Sequence, residues 1–343
     1  MPAAARALTG LLLAIPLHGC YLMQAAGGQL EVARASRPIE QVLAGGDLDT
    51  RKRGQLELVT QARAFAIDRL GLPDGRSFRE YADLGRPYPL WNVVATPEFS
   101  LQPRLSCFPV TGCVAYRGYF HEADAIAAAR RLRRDGDDVS VGGVPTYSTL
   151  GHLRDPVFST MLAWPESRLV STMFHEMAHE QLYVRGDSAF NEAYATVIAQ
   201  EGLRQWLLER RDSQQLDAIA AASARERDFS ALLQRTRERL AELYRGDLPP
   251  GAMRVAKQRL FGQLKYEYSQ LRAGWGGFAG YDAWFARTLN NAHLAAVATY
   301  DDCVPGLVRE LAAAGSLAAF ERRARELSRL PLDERRAAVC EPG

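Results

Sequence analysis

The stretch Phe174-His175-Glu176-Met177-Ala178-His179-Glu180 decides how the rest of the chain is read. It lies in a proline-free segment, Glu166 to Leu182, whose apolar residues recur at helical spacing. In an α-helix, residues four apart share one face, so the imidazoles of His175 and His179 can hold one metal ion. Glu176 adjoins the first of them, and its carboxylate can reach a metal-activated water without occupying a coordination position. The bland alternative is two histidines one turn apart for no chemical reason. Six histidines in 343 residues make a chance H-E-x-x-H uncommon.

A catalytic zinc also needs a third protein ligand and an open position. Downstream, Arg185-Gly186-Asp187 reads as a turn, and Asn191-Glu192-Ala193-Tyr194-Ala195 lies early in a second helix, predicted over 188–210. If that helix folds back on the first, Glu192 reaches the metal, and Ala193 and Ala195 leave room for close packing. The rival ligands are Asp187, which reads as a helix N-cap after Gly186, and the carboxylates Glu180 and Glu201. The expected centre is thus one Zn2+ on His175, His179 and Glu192, with Glu176 as general base.

Composition sets the frame for this centre. The chain is 47% hydrophobic, enough to bury a sizeable core. Its formal net charge of +2 comes from 42 basic and 40 acidic residues, which excludes the concentrated positive charge of a nucleic-acid binder. Basic runs such as Arg130-Arg131 and Arg133-Arg134 read as solvated helix faces.

The N-terminus points to export. Arg6 precedes an apolar run from Leu8 to Leu17, too short to span a bilayer but suited to a secretory signal. Leu17-His18-Gly19-Cys20 resembles a bacterial lipobox, which implies a signal peptide over 1–19 and a lipid on Cys20. His18 departs from the usual small residue, and an ordinary cleaved signal is the alternative. Tyr21 is not the aspartate associated with inner-membrane retention, so the expected place is the periplasmic side of the outer membrane. Four cysteines remain, and an oxidising compartment allows two disulfides. Cys107 and Cys113 flank a natural turn, which leaves Cys303 with Cys340.

Along the chain, residues 29–71 read as helix broken near Gly45-Gly46-Asp47, and Trp91–Thr96 as a strand. Cys113–Phe120 is strand-like, His121–Arg134 helical and Asp138–Val144 strand-like, a β-α-β pattern that implies a small sheet. Beyond Glu166 helices dominate, with a long hairpin over 214–245 and 252–273 and three shorter helices after it. The expectation is a helix-rich α+β chain, 20–343 forming one domain. Its β-containing part covers about 20–160 and its helical part about 161–343. Candidate substrate contacts are Tyr147, Tyr194, Asn290 and Asn291, with His152 and Tyr300 as further possibilities.

HEMAH followed by NEAYA resembles the gluzincin arrangement, in which a glutamate on a following helix is the third ligand. More narrowly, the chain resembles a bacterial family of predicted aminopeptidases, exported proteins with an HE[LM]AH helix. The similar segments are 21–39, 113–120, 141–162, 174–202 and 289–300, the block at 174–202 being the most specific. The resemblance implies a zincin-like fold with a small β-sheet packed on the HExxH helix. It also implies a membrane-associated zinc peptidase acting from the amino end of peptides. No GxMEN-like amine-binding motif is present, so an endopeptidase of the same chemistry stays open, as does a non-catalytic lipoprotein braced by zinc.

Overall fold

The computed structural model of the protein describes residues 16–46, 48–108, 112–147, 149, 153–301 and 303–340; the side chains of 16–20, 22 and 298–301 are outside that description. The expected signal segment therefore lies largely outside the described residues, as does the side chain of Cys20. Among the described residues no helix is long and apolar enough to cross a membrane.

The chain opens with α1 (Pro16–Ala35), β1 (Ser36–Pro38), α2 (Ile39–Ala44) and α3 (Thr50–Asp68). The continuous helix expected from residue 29 is thus interrupted at Ser36–Pro38. Pro38 has no N–H to give to a helical ladder, and the segment pairs instead with β2 (Glu80–Ala82). Asp49 caps α3 by accepting a hydrogen bond from the Lys52 amide at 2.8 Å.

Next come β3 (Leu90–Pro97), β4 (Ser106–Phe108), β5 (Gly112–Val114), β6 (Arg117–Tyr119), α4 (Glu122–Arg134), β7 (Asp137–Val144) and β8 (Val157–Phe158). The single strand expected over Cys113–Phe120 is two. β5 closes a hairpin on β4, with Cys107 directly opposite Cys113 and disulfide-bonded to it. β6 instead joins a sheet of order β6-β3-β7, antiparallel to the central β3. A second small sheet has the order β1-β2-β8.

The helical part comprises α5 (Glu166–Gln181), α6 (Ser188–Glu209), α7 (Ser213–Arg245), α8 (Pro250–Gly274), α9 (Asp282–Phe285), α10 (Asn291–Asp301), α11 (Val304–Ala314), α12 (Leu317–Ser328) and α13 (Leu332–Val339). Five helices follow the α7–α8 hairpin, not three; α9 is a single turn of four residues. A disulfide joins Cys303, just before α11, to Cys340, just after α13. The whole is a helix-rich α+β arrangement with small sheets.

One hydrophobic cluster runs from Val32 of α1 to Val339 of α13, with α5 and α6 at its centre. Phe174 and Met177 of α5 and Phe190 and Tyr194 of α6 are almost completely buried in it. The hairpin α7–α8 has a separate aromatic core, in which the rings of Tyr268 and Phe285 stack at 3.8 Å. Tyr81 and Ala82 of β2 and Val157 and Phe158 of β8 share one hydrophobic cluster with the HExxH helix, whereas the β6-β3-β7 sheet packs on other helices. Strand alternation sends Val93 and Ala95 of β3 towards Ala125 and Ala129 of α4, and Val94 towards Ala292 and Ala295 of α10. α5 itself packs chiefly on α6 and α3.

Asp187 fixes the start of α6. Its side chain accepts from the Phe190 amide at 3.4 Å and from Arg335 Nε at 2.7 Å, where the two charged groups are only 1% and 5% exposed. Removing one member of a buried pair leaves the other charge uncompensated. Arg335→Met is therefore expected to cost about 3–5 kcal/mol, read as a lowered midpoint in equilibrium denaturation. A midpoint equal to wild type would show that the pair contributes nothing.

Candidate metal centre

α5 starts directly after Pro165, with Glu166 in its first turn where the helix dipole favours a negative charge. Leu182 is extended and ends the helix; Gly186 then takes φ +82°, a left-handed conformation that lets the chain reverse within a few residues. Asn191 secures the reversal. Its Oδ1 accepts from the Val184 amide at 2.7 Å, and its Nδ2 donates to the Val184 carbonyl at 2.8 Å. The next residue of α6 is Glu192, so the side chain that locks the turn also sets the carboxylate against α5. Further along α6, Gly202 keeps the crossing close: a Cβ there would come within 2.9 Å of the Phe174 ring.

The result is a convergent triad. His175 Nε2 lies 3.2 Å from His179 Nε2 and 3.2 Å from Glu192 Oε2, and His179 Nε2 lies 3.8 Å from Glu192 Oε1. One ligand atom from each residue falls within 4.8 Å of the others. Tetrahedral zinc with bonds of about 2.0–2.1 Å separates its ligand atoms by roughly 3.3 Å, so the spacing and the donor types both suit the ion.

Electrostatics assign different states to these groups. Burial alone would lower the His175 pKa, but the hydrogen bond to Glu192 and the charges of Glu176 and Glu192 hold it above the ordinary value. Burial lowers His179 to about 4, so its imidazole is neutral at pH 7. Burial pushes Glu192 up, yet its hydrogen bond with His175 and the two nearby imidazoles bring it below the usual carboxylate range. Glu176 goes the other way: burial, with Glu192 and Asp155 adding to it against His175, raises it to about 7. An ionised Glu192 and a neutral His179 are forms that bind a metal.

The rival ligands have other partners. Asp187 is held by Arg335, with Arg336 at 3.7 Å. Glu180 accepts from Ser77, and Glu201 accepts from Arg204 and Gln205 at 2.7 and 2.8 Å. The four expected substrate contacts are likewise not brought to the triad. Tyr147 donates its hydroxyl to Gln29 at 3.0 Å and packs on Phe120 and Phe158. Tyr194 donates to Gln181 at 2.6 Å and stacks on Phe320 in the core. Asn290 donates to the Val139 carbonyl, and Asn291 to the carbonyls of Glu98 and Ser100, tying α10 to β7 and the loop after β3. A polar side chain whose hydrogen bonds close the fold is not free for a substrate. His152 and the side chain of Tyr300 lie outside the described residues.

Three residues near the triad carried no local signal. Asp155 is buried and accepts from the Thr149 amide at 2.7 Å, and its charge acts on Glu176. Burial pushes the phenols of Tyr116 and Tyr183 up, and the charge of Glu192 acts on both. Tyr183 follows the end of α5 at Gln181, so helical spacing from His179 gave no pointer to it. Tyr116 is sixty residues away in sequence and had none.

No curated protein and no solved structure matches the chain. A family model described as "Putative aminopeptidase" matches residues 20–339. That match takes in the three small sheets, the triad and the C-terminal helices, and the chain belongs to this family.

Proposed function

We propose that the chain is a zinc-dependent aminopeptidase of the bacterial cell envelope. One Zn2+ would be held by His175, His179 and Glu192. The observation that carries this reading is the convergence of two imidazole nitrogens and a carboxylate, all within 4.8 Å, beside Glu176, whose carboxyl is raised to about 7. Action at the amino end rests on the family description. When bound, zinc supplies a Lewis acid for the peptide carbonyl and lowers the pKa of water towards about 7.

The chain's own residues do the rest. Glu176 accepts a proton from the attacking water and passes it to the leaving amine, a task suited to a carboxyl with a pKa near neutrality. The α5–α6 packing holds the donor atoms in place before the ion arrives. A site that merely braced helices would normally be closed by four protein ligands. Among the described residues the group has three, and Asp187 is engaged by Arg335. That favours chemistry over bracing, and gives the helix pair its zincin-like character.

The envelope setting has its own support. Two disulfides suit an oxidising compartment, and the lipobox-like Leu17-His18-Gly19-Cys20 would supply a lipid anchor, with the outer membrane as its place. The substrate class is peptide, and the balanced charge speaks against nucleic acid.

Glu176→Gln should keep one zinc per chain by metal analysis while turnover falls by a factor on the order of 10²–10⁴, because only the base is lost. His175→Ala should lose the metal itself. Wild-type turnover in the Glu176 variant would refute the assigned base. A peptide with a free amino end should be cleaved and its acetylated form spared; equal cleavage would make the enzyme an endopeptidase. Cys20→Ala should move the protein from the membrane fraction to the soluble one, and continued membrane recovery would remove the anchor from this reading.

A further inference from the structure

α1 is docked on the body of the protein by one face. Gln24 donates to the Gly118 carbonyl at 3.3 Å and accepts from the Phe120 amide at 3.2 Å, and Gln29 accepts from the Tyr147 hydroxyl at 3.0 Å. Gly28 lies so close to Phe120 that a Cβ there would overlap the ring, and Val32 is fully buried. Near the head of the helix Tyr21 stacks on Phe108 at 5.6 Å, with the Arg117 guanidinium over its ring at 4.0 Å. These contacts fix which way the rest of the helix faces.

The opposite face has an unusual composition. Met23, Ala26, Gly27, Leu30, Ala33 and Arg34 recur at the three- and four-residue steps of one helical stripe, and all of them are exposed. Met23 is 67% and Leu30 49% exposed. A surface helix ordinarily turns charged residues outward, yet no charge occurs from Tyr21 to Leu30. The one carboxylate of α1, Glu31, is neutralised by Arg86. Arg34 ends the stripe and Arg37 follows it, both exposed. The outward face is therefore apolar along most of its length and cationic at its end.

Cys20, the expected lipid anchor, stands three residues before Met23 and seven before Gly27, which by helical phase puts it at the head of the same face. The chain is helical through Cys20, and the contacts that dock α1 begin at Tyr21. No spacer separates the anchor from the folded body, so a lipid on Cys20 brings the helix itself to the headgroups. Among the described residues no helix is long and apolar enough to cross a membrane. An apolar face with cations beside it suits a helix that lies in the interface, its side chains at the acyl boundary and its cations at the phosphates.

We infer that α1 lies flat on the phospholipid surface, with Met23 and Leu30 sunk to the acyl boundary and Arg34 and Arg37 at the lipid phosphates. This inference deepens the lipid-anchor reading above and rests on it. Lying flat is its specific content: a helix standing on its N-terminus would carry Leu30 roughly 15 Å beyond Cys20, clear of the bilayer. Lipid and helix together make two membrane contacts, which hold the body in one orientation where a lipid on a flexible tether would leave it free to tumble.

The test places an environment-sensitive fluorophore on Met23→Cys or Leu30→Cys in the protein purified from bacterial membranes. Both positions are exposed, so the fold tolerates the change. Leu248→Cys, between α7 and α8, and Leu332→Cys, in α13, are comparisons at exposed leucines of other elements. The proteins are reconstituted on vesicles of phosphatidylethanolamine and phosphatidylglycerol, with and without lipid carrying a nitroxide high on its acyl chain. Labels at 23 and 30 should shift to the blue and be quenched by the nitroxide several-fold more than those at 248 and 332. Vesicle-bound protein with label 30 quenched no more than the comparisons overturns the flat helix and leaves the anchor standing. A blue shift that the nitroxide does not quench assigns the stripe to a second copy of the chain and also overturns the inference. Protein that does not stay on the vesicles at all overturns both the stripe and the anchor.

Discussion

The packing of α5 on α6 through the turn at Val184–Asp187 is the constraint on which the candidate centre depends. His175 and His179 come from one helix and Glu192 from the other, so their donor atoms meet only if the chain reverses sharply and at a fixed angle. Three short-range devices enforce that: the left-handed Gly186, the paired hydrogen bonds of Asn191 to Val184, and Asp187 as the cap of α6. Long-range packing then fixes the helices along their length, with Gly202 against Phe174 and the common core from α1 to α13 around them. Asp187 links the two scales, because the arginine that neutralises it comes from α13. α13 thereby steadies the turn that presents Glu192.

Five carboxylates of these two helices and their turn were candidates for the centre, and surroundings rather than residue type assign their work. Glu192 meets two imidazoles and is stabilised as an anion. Desolvation, with the charges of Glu192 and Asp155 adding to it, favours the protonated form of Glu176 and raises it to about 7. Asp187, Glu180 and Glu201 are each engaged by another side chain: Arg335, Ser77, and Arg204 with Gln205. Two carboxylates on neighbouring helices, pushed in opposite directions, can serve as ligand and base within one site. This separation is the electrostatic counterpart of the packing argument, since both require Glu192 to lie against the histidines.

Much of this was legible in the sequence wherever the physics was local. The four-residue spacing of His175 and His179 reports directly on a helix face. The turn at Arg185-Gly186-Asp187 and the placing of Glu192 just beyond it are enough to predict that two helices fold back together. Helix boundaries around the α7–α8 hairpin follow from Pro249-Pro250-Gly251 and the unbroken apolar periodicity on either side. Legibility failed where short elements depend on distant partners. Ser36–Pro38 is a strand only because β2 lies beside it, and the break between β5 and β6 exists because one pairs with β4 and the other with β3.

The polar residues show the same division more sharply. Tyr147, Tyr194, Asn290 and Asn291 have the functional groups a substrate pocket wants, and nothing in their own neighbourhoods says whether those groups are free. Their partners decide it: Gln29 lies 118 residues from Tyr147, and Glu98 lies 193 from Asn291. A donor or acceptor becomes available for chemistry when the fold leaves it unsatisfied. That property belongs to the whole hydrogen-bond network, so it emerges only once every competing partner has been placed.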